Sequence, residues 1–168
     1  MKKLWTVVIS MMLMMILVVS GCSSQAKPKD NQATPTINVS DKILDEMEGP
    51  PKNGHTLERH VGKTDEQLKE RLRTDNVSAA STYYDKETAT KAVKDTIKQH
   101  EKEIEKWLKE SKENRLVLNT KHNFAVGKTV LKKNMQVKDG LRNTVTVLQK
   151  DKGSQLGFKI VTSYPSEK

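Results

Sequence analysis

Apolar residues along this chain are arranged differently from one region to the next, and each arrangement predicts a different kind of element. From Leu4 to Val19 they form one uncharged run behind two lysines, followed by small residues. That is the layout of a secretory leader over residues 1–21, and it is short for a comfortable membrane span. Over residues 22–50 the pattern dissolves into Ser, Gln, Asn, Thr, Pro and Lys, with no apolar cluster until Ile43 and Leu44. Such a composition buries too little surface to fold, which predicts a flexible stalk.

From Thr64 the spacing becomes helical. Thr64-Asp65-Glu66-Gln67 offers a hydroxyl cap with a glutamine three residues on, and Leu68 and Leu72 follow one turn apart as a buried stripe. Arg71 flanks that stripe. A longer helix is predicted from a cap at Asp85 to about Lys109, because Val93, Ile97, His100, Ile104, Trp107 and Leu108 recur at spacings of three and four. His100, on this apolar line, is expected to be structural or peripheral. Between the two helices the Ser/Ala run from Val77 to Thr82 suits either a strand or an extended link.

Beyond Asn114 the period changes to two. Leu116–His122, Lys128–Lys133, Asn143–Lys150 and Phe158–Tyr164 are predicted strands, with Lys138-Asp139-Gly140 and Asp151-Lys152-Gly153 as turns. Two helices followed by hairpin-linked strands predict an α+β domain with an antiparallel sheet, over residues 51–168. In the last strand, strict alternation would place Phe158, Ile160, Thr162 and Tyr164 on one face. A face that begins with Phe and Ile and ends with Thr and Tyr suits a strand whose end reaches into a cleft.

Charge and chemistry sharpen this picture. The chain has 168 residues and a formal net charge of +9. Two leader lysines offset an excess of two acids in residues 22–50, so the basic excess belongs to the domain. A basic domain attracts phosphate-rich polymers, anionic lipid or wall polymers. The lone cysteine, Cys22, excludes an intramolecular disulfide and leaves no further thiol for a zinc site. Gly62-Lys63-Thr64 lacks the upstream glycine of a phosphate-cradling loop, and His55-x4-His60 makes no recognisable metal pattern, so no cofactor is expected. His122 shares an alternating face with Leu116 and Leu118, which suits a strand-end histidine or one that enters the same cleft.

Val19-Ser20-Gly21-Cys22 resembles the lipobox of bacterial lipoproteins. The resemblance implies cleavage before Cys22, acylation of that residue, and anchorage on the outer face of the cytoplasmic membrane.

A second resemblance covers residues 54–165. Gly54-His55-Thr56-Leu57-Glu58-Arg59-His60-Val61-Gly62-Lys63-Thr64, then Leu68, Arg71-Leu72, Ser78-Ala79-Ala80-Ser81 and a closing Thr162-Ser163-Tyr164-Pro165 resemble the bacterial RNase A-like toxin domains at the C-termini of contact-dependent growth inhibition proteins. It implies an RNase A-like fold, with two N-terminal helices packed on an antiparallel sheet around a cleft, and metal-independent cleavage of RNA. It carries functional positions onto His60, Arg71, Thr162 and Tyr164, with His55 as a further match. It also brings in an immunity protein as a candidate partner, although an outward-facing enzyme never meets its producer's transcripts.

The chemistry asks for a base at the ribose 2′-hydroxyl, donors for the phosphorus centre and an acid for the departing 5′-oxygen. His60 suits the base, since a free histidine titrates near 6.5, and Arg71 offers a fixed fork of donors for phosphate oxygens. The acid is either Tyr164, whose type titrates near 10 when free, or His55. Thr162 is suited to a base edge or a phosphate oxygen. The alternative is a non-catalytic basic surface module that binds an anionic polymer or a partner protein.

Overall fold

The computed structural model describes residues 37–168; the expected leader, Cys22 and the first part of the expected stalk lie outside the described residues. In chain order the elements are α1 (Ile43–Met47), α2 (Thr56–His60), α3 (Asp65–Thr74), β1 (Ala79–Tyr83), α4 (Lys86–Gln99), α5 (Glu101–Glu110), β2 (Arg115–Lys121), β3 (Gly127–Leu131), β4 (Val137–Leu141), β5 (Asn143–Lys150) and β6 (Phe158–Ser166). The strands form two three-stranded antiparallel sheets, β1-β3-β4 and β2-β5-β6. Strand β6 packs beside β1 and β3, so the cleft opens where the two sheets meet.

Helix α3 forms as its sequence asks. The Thr64 side chain accepts from the Gln67 amide at 3.2 Å and the Gln67 side chain accepts from the Thr64 amide at 2.9 Å, closing a capping box. Leu68 and Leu72 are buried with Ala80 and Val130, which fastens the helix to the β1-β3-β4 sheet. Each of those leucines contributes roughly 1.5–3 kcal/mol of burial. The larger core gathers the apolar faces of α1, α4 and α5 against β2, β5 and β6, around Phe158, Ile160, Leu148 and Leu118.

The longer expected helix is divided at His100, whose backbone leaves helical geometry at φ −107 and ψ 16. Its ring bonds Glu103 at 2.8 Å, on the periphery. Beyond the break α5 turns Ile104 and Trp107 into the core that α4 fills with Ala92, Val93 and Ile97.

Part of the expected stalk is also folded. Ile43, Leu44 and Met47 are buried in the main core, and the Ile37 amide donates to Glu101 at 2.5 Å. Residues 37–50 therefore belong to the folded body, contrary to the boundary expected at residue 51. Three apolar side chains in one turn and a half suffice when a preformed sheet receives them.

The β6 strand corrects the sequence expectation most sharply. Leu148 pairs with Ile160, but Val147 pairs with Thr162, so Val161 is an extra, unpaired residue, a β-bulge. Cross-strand partners share a face, and Val147 and Leu148 point to opposite sides. Phe158 and Ile160 therefore face the core, whereas Thr162 and Tyr164 face the cleft; the four do not share one face as strict alternation had required. Bulges re-aim side chains in this way.

Candidate active site

Helix α2 presents His60 at its last position. It is five residues long and has no side-chain cap of its own at His55. The Glu48 carboxylate supplies one, accepting from the amides of Leu57 at 3.0 Å and Glu58 at 2.9 Å. A carboxylate there satisfies two otherwise unpaired donors and complements the helix dipole. Gly54 lets α2 sit this close to its neighbours: a Cβ at that position would lie 2.3 Å from the Met47 carbonyl oxygen and 2.8 Å from that of Ile160. The amide of His55 donates to the carbonyl of the bulged Val161 at 3.1 Å, tying the helix to β6. Immediately after His60 the chain turns at Gly62 with φ +65, and the Gly62 amide donates to the Tyr83 carbonyl at 3.1 Å.

His60 is 7% exposed, and its Nδ1 lies 3.0 Å from the Ser81 carbonyl oxygen. A carbonyl only accepts, so Nδ1 carries the hydrogen and the lone pair of the neutral ring is on Nε2. The ring stacks on Tyr164, with centroids 5.1 Å apart and 28° between planes. The His55 ring is 6.5 Å from His60, centroid to centroid. Burial, opposed by the Ser81 hydrogen bond and assisted by the charge of Arg71, pushes His60 down to about 4. His55 is also lowered, first by desolvation and then by Arg59. His60 is therefore neutral at pH 7, and the shift at His55 likewise favours its neutral form.

All five side chains marked out in the sequence, His55, His60, Arg71, Thr162 and Tyr164, line one cleft of about 980 Å³. Arg71 is held at Nε by Asp75 at 3.2 Å, while one terminal guanidinium nitrogen, Nη1, is buried without a hydrogen-bond partner. The Thr162 hydroxyl is likewise buried and unpartnered. Unpaired buried polar groups of this kind destabilise a fold unless something else uses them, and here both belong to residues of the same cleft. Lys132 and Lys133 add positive charge to its wall.

His122 is not among the cleft-lining residues. Its Nδ1 meets Asp95 at 2.6 Å and its Nε2 meets Thr144 at 2.9 Å, inside the protein. Sequence reasoning missed Ser81, whose contribution is a backbone carbonyl and leaves no side-chain signal. It also missed the two lysines, which sit in a chain rich in lysine.

Over residues 54–165 the chain matches the family model described as the bacterial CdiA-CT RNAse A domain. It is similar to the crystal structure of a CdiA-CT/CdiI complex from Y. kristensenii 33638, at 31% identity and a TM-score of 0.64, covering 67% of this chain and 99% of that one. Comparison with curated proteins gives no match.

Proposed function

Because the chain belongs to the bacterial RNase A-like CdiA-CT toxin family and carries an endoribonuclease domain, we propose that it cleaves RNA by transphosphorylation at the cleft of His60, Arg71, Thr162 and Tyr164, without a metal ion. One observation carries this reading: a neutral, buried imidazole with its lone pair on Nε2 stacks on a tyrosine in the same cleft as a guanidinium whose Nη1 has no protein acceptor.

In the proposed reaction Nε2 of His60 takes the proton of the ribose 2′-hydroxyl as the 2′-oxygen attacks phosphorus. The bond from phosphorus to the 5′-oxygen breaks, and the departing oxygen takes a proton from Tyr164. His55 is the poorer acid, because desolvation and the charge of Arg59 favour its neutral form. The free guanidinium nitrogen of Arg71 and the Thr162 hydroxyl hold non-bridging phosphate oxygens as charge builds on them. An approaching phosphate also favours the protonated form of His60, so the base gains strength as substrate binds.

The test is cleavage by the full chain in detergent micelles with EDTA present. Fragments ending in 2′,3′-cyclic phosphate are expected, and their absence between pH 5 and 8 would end the proposal. The location proposed for this activity is the outer face of the cytoplasmic membrane, through a lipid on Cys22; the supporting feature is the Val19-Ser20-Gly21-Cys22 stretch. Labelled palmitate should enter the wild-type chain and not Cys22→Ala. An immunity protein comparable to the CdiI of the Y. kristensenii complex is proposed as a partner only where the enzyme reaches a cytoplasm.

A further inference from the structure

Behind the cleft runs a buried chain of hydroxyls that the reaction does not use. The Tyr83 phenol of β1 lies 2.6 Å from the Ser163 hydroxyl of β6, and Ser163 lies 2.7 Å from the Thr146 hydroxyl of β5. Nearby, Thr144 reaches Nε2 of His122 at 2.9 Å, and the Nδ1 of His122 meets Asp95 at 2.6 Å. Tyr83, Ser163, Thr144 and Thr146 are each fully buried.

At the His122 end the direction follows from the acceptor. The Asp95 carboxylate only accepts, so His122 donates from Nδ1 and, when neutral, accepts at Nε2 from Thr144. Each shared hydroxyl of the Tyr83, Ser163 and Thr146 trio can polarise the next.

The position of the chain matters more than its length. Ser163 lies between Thr162 and Tyr164, and it faces inward because the Val161 bulge resets the alternation. Its amide donates to the Thr56 hydroxyl at 2.9 Å, in the first turn of the helix that carries His60. Tyr83 lies two residues beyond Ser81, whose carbonyl orients the His60 ring, and its own carbonyl receives Gly62. One short hydroxyl pair thus joins the strand that orients His60 to the strand that presents Thr162 and Tyr164.

We propose that Tyr83 and Ser163 are positioning residues: their hydroxyl pair clasps β1 to β6 and sets the spacing of His60 against Tyr164 and Thr162. The proposal rests on the active-site reading above. Neither residue touches substrate, and removing either hydroxyl lets the two strands shift. A misplacement of a fraction of an ångström between reacting groups costs about tenfold in rate.

The experiment measures RNA cleavage by the full chain in detergent for Tyr83→Phe, Ser163→Ala and the double variant, beside His60→Ala and a buried-hydroxyl control, Thr96→Val. Tyr83→Phe keeps the ring, and Ser163→Ala removes one atom, so two independent routes break the same bond. The expected result is a kcat lowered about tenfold in each with KM within about twofold, and a double variant no worse than the weaker single. The His60 ring, followed by NMR titration, should move upward from its depressed value in both singles and stay put in Thr96→Val. A kcat within twofold of wild type in both singles, or a loss that appears in KM alone, or an unmoved His60 titration overturns the proposal. If His60→Ala is itself fully active, the active-site reading fails instead.

Discussion

The His60 imidazole lies stacked on the Tyr164 phenol ring at 5.1 Å, joining the last residue of a five-residue helix to the far end of the last strand. If the pair works as base and acid of one step, its members fail together. His60→Ala and Tyr164→Phe are each expected to lower kcat/KM by about 10²–10⁴-fold. Combined, they should lower it far less than the product of the separate losses, as groups acting in one unit do. Steady-state cleavage of a short RNA in EDTA measures this, and strictly multiplicative losses would separate the two roles.

Stability should fall with acid because of His60. Its folded value, about 4, lies below the ordinary 6.5, so between those values the unfolded chain binds the proton that the folded one refuses. The contribution is fully present above pH 6.5 and is lost as pH falls through about 4. It amounts to about 3 kcal/mol. Urea midpoints at pH 7 and pH 4.5 should differ more in wild type than in His60→Ala; equal differences would refute the burial account.

The same depression shapes the activity profile. The acid limb of kcat/KM reports the free enzyme and should lie near the depressed value, whereas the limb of kcat reports the complex. Bound phosphate favours the imidazolium, so the kcat limb is expected at the higher pH. A reversed order of the two limbs would count against phosphate binding beside His60.

Thr162 and Arg71 should show stability and activity moving in opposite directions. Each holds a buried polar atom without a partner. Thr162→Val keeps the shape and removes the orphan, so its melting temperature should equal or exceed that of wild type while kcat/KM drops about tenfold or more. Arg71→Ala should lose about 10²–10³-fold in kcat. A Thr162→Val variant that melts lower and cleaves normally would remove that residue from the site.

Much of this arrangement was legible in the residue pattern, and the exceptions have physical causes. Thr64 with Gln67 and Leu68 with Leu72 are local signals, and local signals survive folding. Strand β5 alternates cleanly because one face is buried and the other half-open. Strand β1 shows no alternation because Ala80, Ser81, Thr82 and Tyr83 are all buried, and β4 is an exposed edge containing Gly140 at φ +69, which looks like a turn. Helices α1 and α2 have five residues each and no side-chain cap from their own N-cap residue; packing and Glu48 hold them, and neither appears in a periodicity. The identity of the cleft residues was legible through the family motif. How Thr162 and Tyr164 reach the cleft was not, since a bulge depends on pairing with β5 and leaves the one-dimensional pattern unchanged.

Glu48 ties the amino-terminal end of the folded body to the helix that carries His60. The carboxylate that caps the His60 helix belongs to the very segment through which any upstream tether would pull. Trimming by a protease ahead of Ile37 would free a working enzyme, whereas a cut at residue 50 would discard the cap together with Ile43, Leu44 and Met47. Comparing chains that start at residue 37 and at residue 51 in the cleavage assay reads this out, with activity expected only in the longer one.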